Sequence, residues 1–428
     1  DLENNVSTSV GSNQPSEASP DSHATACAGI VAGVGANGVG IIGIAPDAQI
    51  VSLTNNASKP FEVDTAISIY TNSYGPLDGS LGITTPWWNS IIDSAEDAYL
   101  DGNSVFFANG NGGGSLDQSA YDGIVSSPYT IAVTAVDNRG TASDYSEVGS
   151  NIVVAAYSNG GSEGITTTTL TSEGSYTDSF GGTSAATPNV AGTAALMFSA
   201  ADSSEVSLTS RDFASIFANT SLQIDPIDES WSTNLAGIDT SYYYGFGLIN
   251  APDAVQAAQN GDHLISDHAL ITQTISSGDF TAYSGSDPVL DIAPINGVAN
   301  SSVTLVEGKG DSITFNDSSY VVEQIELSIR SINYTTNDVS NLGDENLQIT
   351  LTHELSDDSF SSIMLFVTNT DGAENYDNWN ALSVQHFGES LEGTWTVSMY
   401  DTLNSTFLDA SNFEVDLEFF CHDPSITI

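Results

Sequence analysis

Phe180-Gly181-Gly182-Thr183-Ser184-Ala185-Ala186-Thr187-Pro188 runs without a break into Asn189-Val190-Ala191-Gly192-Thr193-Ala194-Ala195-Leu196-Met197. Two glycines permit a tight turn, and the small apolar run after them is long enough for a buried helix. Ser184 is thereby expected at a helix N-terminus, where unbonded N–H groups and the helix dipole favour negative charge. A serine whose attack creates an oxyanion needs that placement. The same residues also read as a Gly-Thr-Ser turn capping a structural helix, and the stretch alone leaves both readings open.

Around this stretch, short apolar strands alternate with helical segments. Ile50–Leu53, Ile67–Tyr70, Ser104–Ala108, Tyr129–Ala135 and Ile152–Ala156 read as buried strands. Trp88–Leu100 and Ser210–Asn219 have helical spacing, and Asp21 or Ser22 can cap a small-residue helix carrying His23 in its first turn. That alternation predicts an α/β fold, a parallel sheet with helices on both faces. Beyond about residue 265 the texture changes to period two, as in Val303–Val306, Ile325–Ile329, Leu347–Thr352 and Glu414–Phe419. This predicts a second, all-β region built as a sandwich or jelly roll. The expected division is 1–262 and 268–428, with a linker at Asn260–Asp267.

The chain has 428 residues, enough for two or three domains. Its net charge of −50 comes from 55 Asp and Glu set against only 5 Lys and Arg. Such a surface repels nucleic acid and anionic membranes and attracts cations. Adaptation of the whole surface to salty surroundings is the expected cause. Cys27 and Cys421 make neither a disulfide framework nor a metal site, and both read as buried thiols. Six scattered histidines without a His-Glu-x-x-His pattern argue against a zinc hydrolase. The polar start without Met reads as an internal piece of a longer precursor.

His23-Ala24-Thr25-Ala26-Cys27-Ala28-Gly29, then Gly110-Asn111-Gly112-Gly113 after an apolar strand, then Gly182-Thr183-Ser184-Ala185 with Pro188, resemble the subtilisin-like serine proteases. Ser73-Tyr74-Gly75-Pro76-Leu77-Asp78-Gly79 and Tyr244-Gly245-Phe246-Gly247 are similar to the kexin/furin branch. Asp377-Asn378-Trp379, His386-Phe387-Gly388-Glu389 and Gly393-Thr394-Trp395 resemble the P domain of that branch.

The resemblance implies a serine endopeptidase in which Ser184 is the nucleophile, His23 the base and Asn111 the oxyanion donor. It places Asp78 and Asp122, with Ser73 and Gly75, around a basic residue before the cut. It implies Ca2+ as cofactor, held by Asp78, Asp117 and Glu147 at one site. A second site matches Asp1, Asn37 and the carbonyls of Val34, Val39 and Ile41. The expected partners are protein or peptide substrates and no nucleic acid, with the enzyme a monomer and any membrane anchor outside this stretch. The expected location is the secretory pathway or outside the cell, not the cytosol. The triad carboxylate belongs to a strand end that the resemblance places just upstream of Asp1-Leu2. Ala24 and Tyr74 depart from the usual Gly and Trp, and Thr84 and Ile124 from Asp and Tyr, so one basic residue before the cut is better supported than a multibasic site. A broadly degradative subtilase and a catalytically dead scaffold stay open as alternatives.

Overall fold

Residue Phe106 faces one side of the central sheet and Phe107 the other, and both are fully buried. The computed structural model describes residues 1–3, 5–7, 21–53, 63–64, 66–76, 78, 86–115, 117–265, 271–276, 281–282, 309–315, 319–332, 347–357, 359–367, 379–401 and 413–423. Four strands, β1 (Ile69–Asn72), β2 (Ser104–Ala108), β3 (Ile131–Val136) and β4 (Ile152–Tyr157), lie in that order and all run parallel. Helix α1 (Ser22–Ala32) precedes them, and α2 (Pro86–Leu100) connects β1 to β2. The short hairpin β5 (Ile165–Thr168) and β6 (Tyr176–Phe180) leads into α3 (Thr183–Ser203), then α4 (Ser210–Thr220).

Strands buried on both faces read as continuous apolar runs, which is why Ser104–Ala108 was legible as a strand. Phe107 joins Ile91 and Ala95 of α2 in one core. Phe106 meets Phe213 of α4 edge-on at 5.9 Å on the other face. Each such ring removed from water stabilises the sandwich by roughly 1.5–3 kcal/mol. Helix α1 packs on β5 so closely that a Cβ at Gly29 would lie 2.2 Å from Thr168 Oγ1. The expected α/β architecture is present. Ile50–Leu53, however, is not a strand of the sheet. Ile50 is half-buried and makes a single parallel bridge to Val6, too little pairing to sustain a ladder.

Contacts divide the chain into two units, the first holding Asp1–Val148, Ile152–Pro226 and Tyr243–Asp267. The second gathers Gly149–Asn151, Ile227–Tyr242 and His268–Ile428. Helix α5 (Ala251–Asn260) closes the first unit; the hairpin β7 (Trp231–Thr233) and β8 (Asp239–Ser241) belongs to the second. Among the described residues the second unit is otherwise built of strands: β9 (Ile271–Ser276), β10 (Thr281–Ala282), β11 (Lys309–Phe315), β12 (Val321–Ile332), β13 (Leu347–Glu354), β14 (Phe360–Val367), β15 (Trp379–Ser383), β16 (Gly393–Asp401) and β17 (Phe413–His422). They form antiparallel sheets ordered β10-β11-β16-β13-β14 and β15-β12-β17-β9. Trp395 of one sheet meets Phe419 of the other at 5.0 Å. The expected strand Val303–Val306 and Asp377-Asn378 lie outside the described residues.

Beside Trp395 the second unit buries a charged network. Glu389 accepts hydrogen bonds from His353 Nδ1 at 2.6 Å and His386 Nδ1 at 3.0 Å through one oxygen, and from the Leu235 N–H through the other. His353 stacks flat on the Trp395 ring at 3.9 Å. Burial alone would raise the Glu389 carboxyl, but His386 and His353 hold it below its ordinary 4.5. The folded state therefore releases this proton more readily than the unfolded chain, so the contribution to stability is lost as pH falls below about 4.5. Removing one member leaves the others buried and unpaired, so Glu389→Ala is expected to destabilise by about 3–5 kcal/mol. Denaturant melts of wild type and variant at neutral and acid pH read both effects.

Candidate active site

Gly182 precedes α3 with φ 75°, a left-handed conformation that glycine adopts without strain and that swings Ser184 into the helix's first turn. Its N–H donates to Asn159 Oδ1 at 2.9 Å, and its carbonyl accepts from Ser158 Oγ at 2.7 Å. Pro188 lies inside α3. It has no N–H to give the carbonyl four residues back, so the Ser184 carbonyl has no helical partner. Ser73 Oγ donates to that carbonyl at 3.0 Å and Cys27 Sγ at 3.5 Å. Ser73 follows β1 and Cys27 lies in α1, so one orphaned carbonyl ties three segments together.

The same thiol lies 4.0 Å from His23 Nδ1. His23 is exposed in the first turn of α1, where Asp21 caps the helix by accepting from the His23 and Ala24 N–H groups. Its ring meets Phe180 edge-on at 5.3 Å. The His23 ring makes no hydrogen bond to Ser184 in this structure. Cys27 is half-buried rather than buried, and loss of water pushes its thiol up to about 11, so it stays a neutral donor. Its spacing of one helical turn from His23 was the signal for this contact. Cys421 is buried as expected.

Asn111 follows β2 on a glycine turn. Its Oδ1 accepts from the Thr183 N–H at 2.8 Å and from Thr183 Oγ1 at 3.1 Å. A backbone N–H can only donate, so the amide orientation is set, and the Nδ2 donor is left for another partner. Asn109 instead gives its amide to the Glu147 carbonyl at 2.6 Å, a buried structural role.

A cavity beside Ser184 brings together Ser73, Gly75, Asp78, Asp117, Asp122 and Glu147. Asp78 accepts from the Asn111 N–H at 3.3 Å, and Glu147 from the Gly112 N–H at 3.0 Å. Burial, with Asp117 adding to it, pushes Asp122 up to about 7. Burial and then Asp117 push Glu147 up to about 9, and the other charges acting on it are Asp122 and Asp78, all acidic. Among the described residues, no three His, Cys, Asp or Glu side chains form a ready-made metal cage. The donor chemistry nevertheless fits a hard cation, because these oxygens penalise one another without one. Elsewhere Asp1 accepts from Asn37 Nδ2, the Ile41 N–H and the Tyr176 hydroxyl, and its carbonyl from the Val34 N–H. Val39 N–H donates to Asn37 Oδ1. These contacts bring the five residues together through the N–H groups of Val34, Val39 and Ile41 rather than through the carbonyls expected as ligands.

This combination of a parallel sheet with a serine at the head of a buried helix, a histidine on a neighbouring helix and an oriented asparagine defines a class. Residues 2–247 match the model of the Subtilase family, and the chain belongs to that family. Among its relatives, the PC3-like endoprotease variant B of Hydra vulgaris is 27% identical over 400 residues, covering 89% of this chain and 52% of the relative. Kexin of Saccharomyces cerevisiae is 26% identical over 423 residues, covering 93% and 47%. The chain thus spans about half the length of the curated relatives it matches. The solved serine protease of Aeromonas sobria has the same fold, with a TM-score of 0.74 at 20% identity, covering 99% of this chain and 86% of that one.

Glu147 offers a test independent of activity. In metal-free protein its folded value near 9 exceeds its ordinary 4.5, so the folded state keeps a proton the unfolded chain has lost. Stability is expected to fall as pH rises from about 4.5 toward 9. Glu147→Gln is expected to flatten that slope in thermal melts followed across pH.

Proposed function

We propose that this chain is the catalytic part of a calcium-dependent, kexin-like serine endopeptidase that cuts proteins after Arg or Lys, as in proprotein processing, in the secretory pathway or outside the cell. The second unit is its P domain in this reading. The observation that carries the proposal is the Asn111 amide, whose donor is freed beside Ser184 because Thr183 holds its oxygen. No helix among the described residues is long and apolar enough to cross a membrane.

Ser184 Oγ attacks the scissile carbonyl while His23 takes its proton and later returns it to the leaving amine. Asn111 Nδ2 and the Ser184 N–H receive the oxyanion; removing one such donor costs about 10²–10³ in turnover. The reading calls for a carboxylate on His23 Nδ1 to orient the ring. A basic side chain entering the cavity meets Asp122 and Asp78, where charge-assisted hydrogen bonds are worth about 1.5–3 kcal/mol each. Asp78, Asp117 and Glu147 would hold one calcium, whose positive charge keeps neighbouring acids ionised; Asp1, Asn37, Val34, Val39 and Ile41 would hold a second.

With the full-length protein, peptides with Arg before the cut are expected to be cleaved about 10²–10⁴ better than those with Leu. Equal cleavage of the two would favour a broadly degradative subtilase instead. The Asp122 carboxylate pairs with Arg in this reading, so Asp122→Asn is expected to raise KM for the Arg peptide and leave the Leu peptide unaffected. Asn111→Ala is expected to lower kcat about 10²–10³ with little change in KM. Chelation is expected to reduce activity, and added calcium to restore it.

A further inference from the structure

A second cavity, of about 400 Å³, has His23 in its wall. His23, Phe180, Tyr176, Thr169, Thr177 and Glu173 line it, and it shares no lining residue with the acidic cavity beside Ser184. Its walls are the start of α1 and the β5–β6 hairpin. The volume suits an amino-acid side chain with room for its neighbours.

His23 lines this cavity, whereas Ser184 lines the acidic one. His23 must protonate the leaving amine, so the residue behind that amine passes directly over the imidazole. In the reading above the acidic cavity beside Ser184 takes the residue before the cut, which leaves the cavity lined by His23 for the residue after it. Its single carboxylate among the described lining residues is Glu173, held in place by the Thr169 hydroxyl at 2.6 Å. The rings of Phe180 and Tyr176 accompany it. Aromatic rings beside a carboxylate suit a guanidinium or ammonium, which gains from both the ring quadrupole and the opposite charge.

We propose that this cavity is the subsite for the residue following the cut, and that Glu173 makes it prefer a basic side chain there. The proposal rests on the protease reading of Ser184 and His23, and extends it to the leaving side of the substrate. A sequence basic on both sides of the scissile bond would then engage two separate acidic sites.

Acyl transfer tests the leaving side by itself. Full-length enzyme is acylated on Ser184 by an ester of fixed sequence ending in Arg, and argininamide or leucinamide competes with water for the acyl group. The amine nitrogen bonds to the acyl carbon, the bond to Ser184 Oγ breaks, and His23 passes the amine proton to Oγ. Argininamide is expected to capture the acyl group about fivefold better than leucinamide, the scale of one exposed ion pair. Glu173→Gln is expected to bring the two to parity. Asp178→Asn, on the same hairpin but outside the lining, is expected to keep the preference. Parity in the wild type, or a preference that survives Glu173→Gln, overturns the subsite. Failure to form any acyl-enzyme overturns the protease reading itself and the subsite with it.

Discussion

The carbonyl of Ser184 is the point on which the site is assembled. A proline four residues along the helix cannot bond it, and an unpaired carbonyl at a half-buried position is costly. The chain satisfies it from outside the helix, with the hydroxyl of Ser73 and the thiol of Cys27. Ser73 brings the loop after β1, and Cys27 brings the helix that carries His23. The defect in α3 is therefore also the fastening that holds Ser184, the helix of His23 and the loop after β1 in register.

A second constraint is electrostatic. The first unit packs acids around one cavity, and burial drives Asp122 to about 7 and Glu147 to about 9. Such an arrangement stores unfavourable charge that a cation relieves, whether a metal ion, a guanidinium or a proton. The second unit resolves the same problem internally, since Glu389 is compensated by His353 and His386. A chain with 55 acidic and 5 basic residues has few other positive partners to call on, and here it uses histidine.

Much of this was legible because local rules and tertiary structure agree. Ser104–Ala108 is a strand with the bounds its apolar run predicts, and Asp21 caps α1 as its side chain allows. The Gly182-Thr183-Ser184 turn leads a helix as its glycines and small residues require. Ile50–Leu53 shows the limit. Its composition suits a strand, but a strand exists only where a partner extends the ladder, and Ile50 has one bridge. Cys27 shows another: burial was predicted from residue type, whereas its place between His23 and Ser184 depends on how α1 meets α3.

By itself, the sequence determined which side chains are available for chemistry and the local backbone that presents each, because glycine, proline and capping preferences act over a few residues. Tertiary structure alone decided that Thr183 takes the Asn111 oxygen and leaves the amide to donate, and that Glu173 lines the same cavity as His23. Those facts join residues 72 and 150 positions apart, and no local preference reaches that far. They follow from the packing of whole elements, which sets distances the chain's own periodicities do not contain.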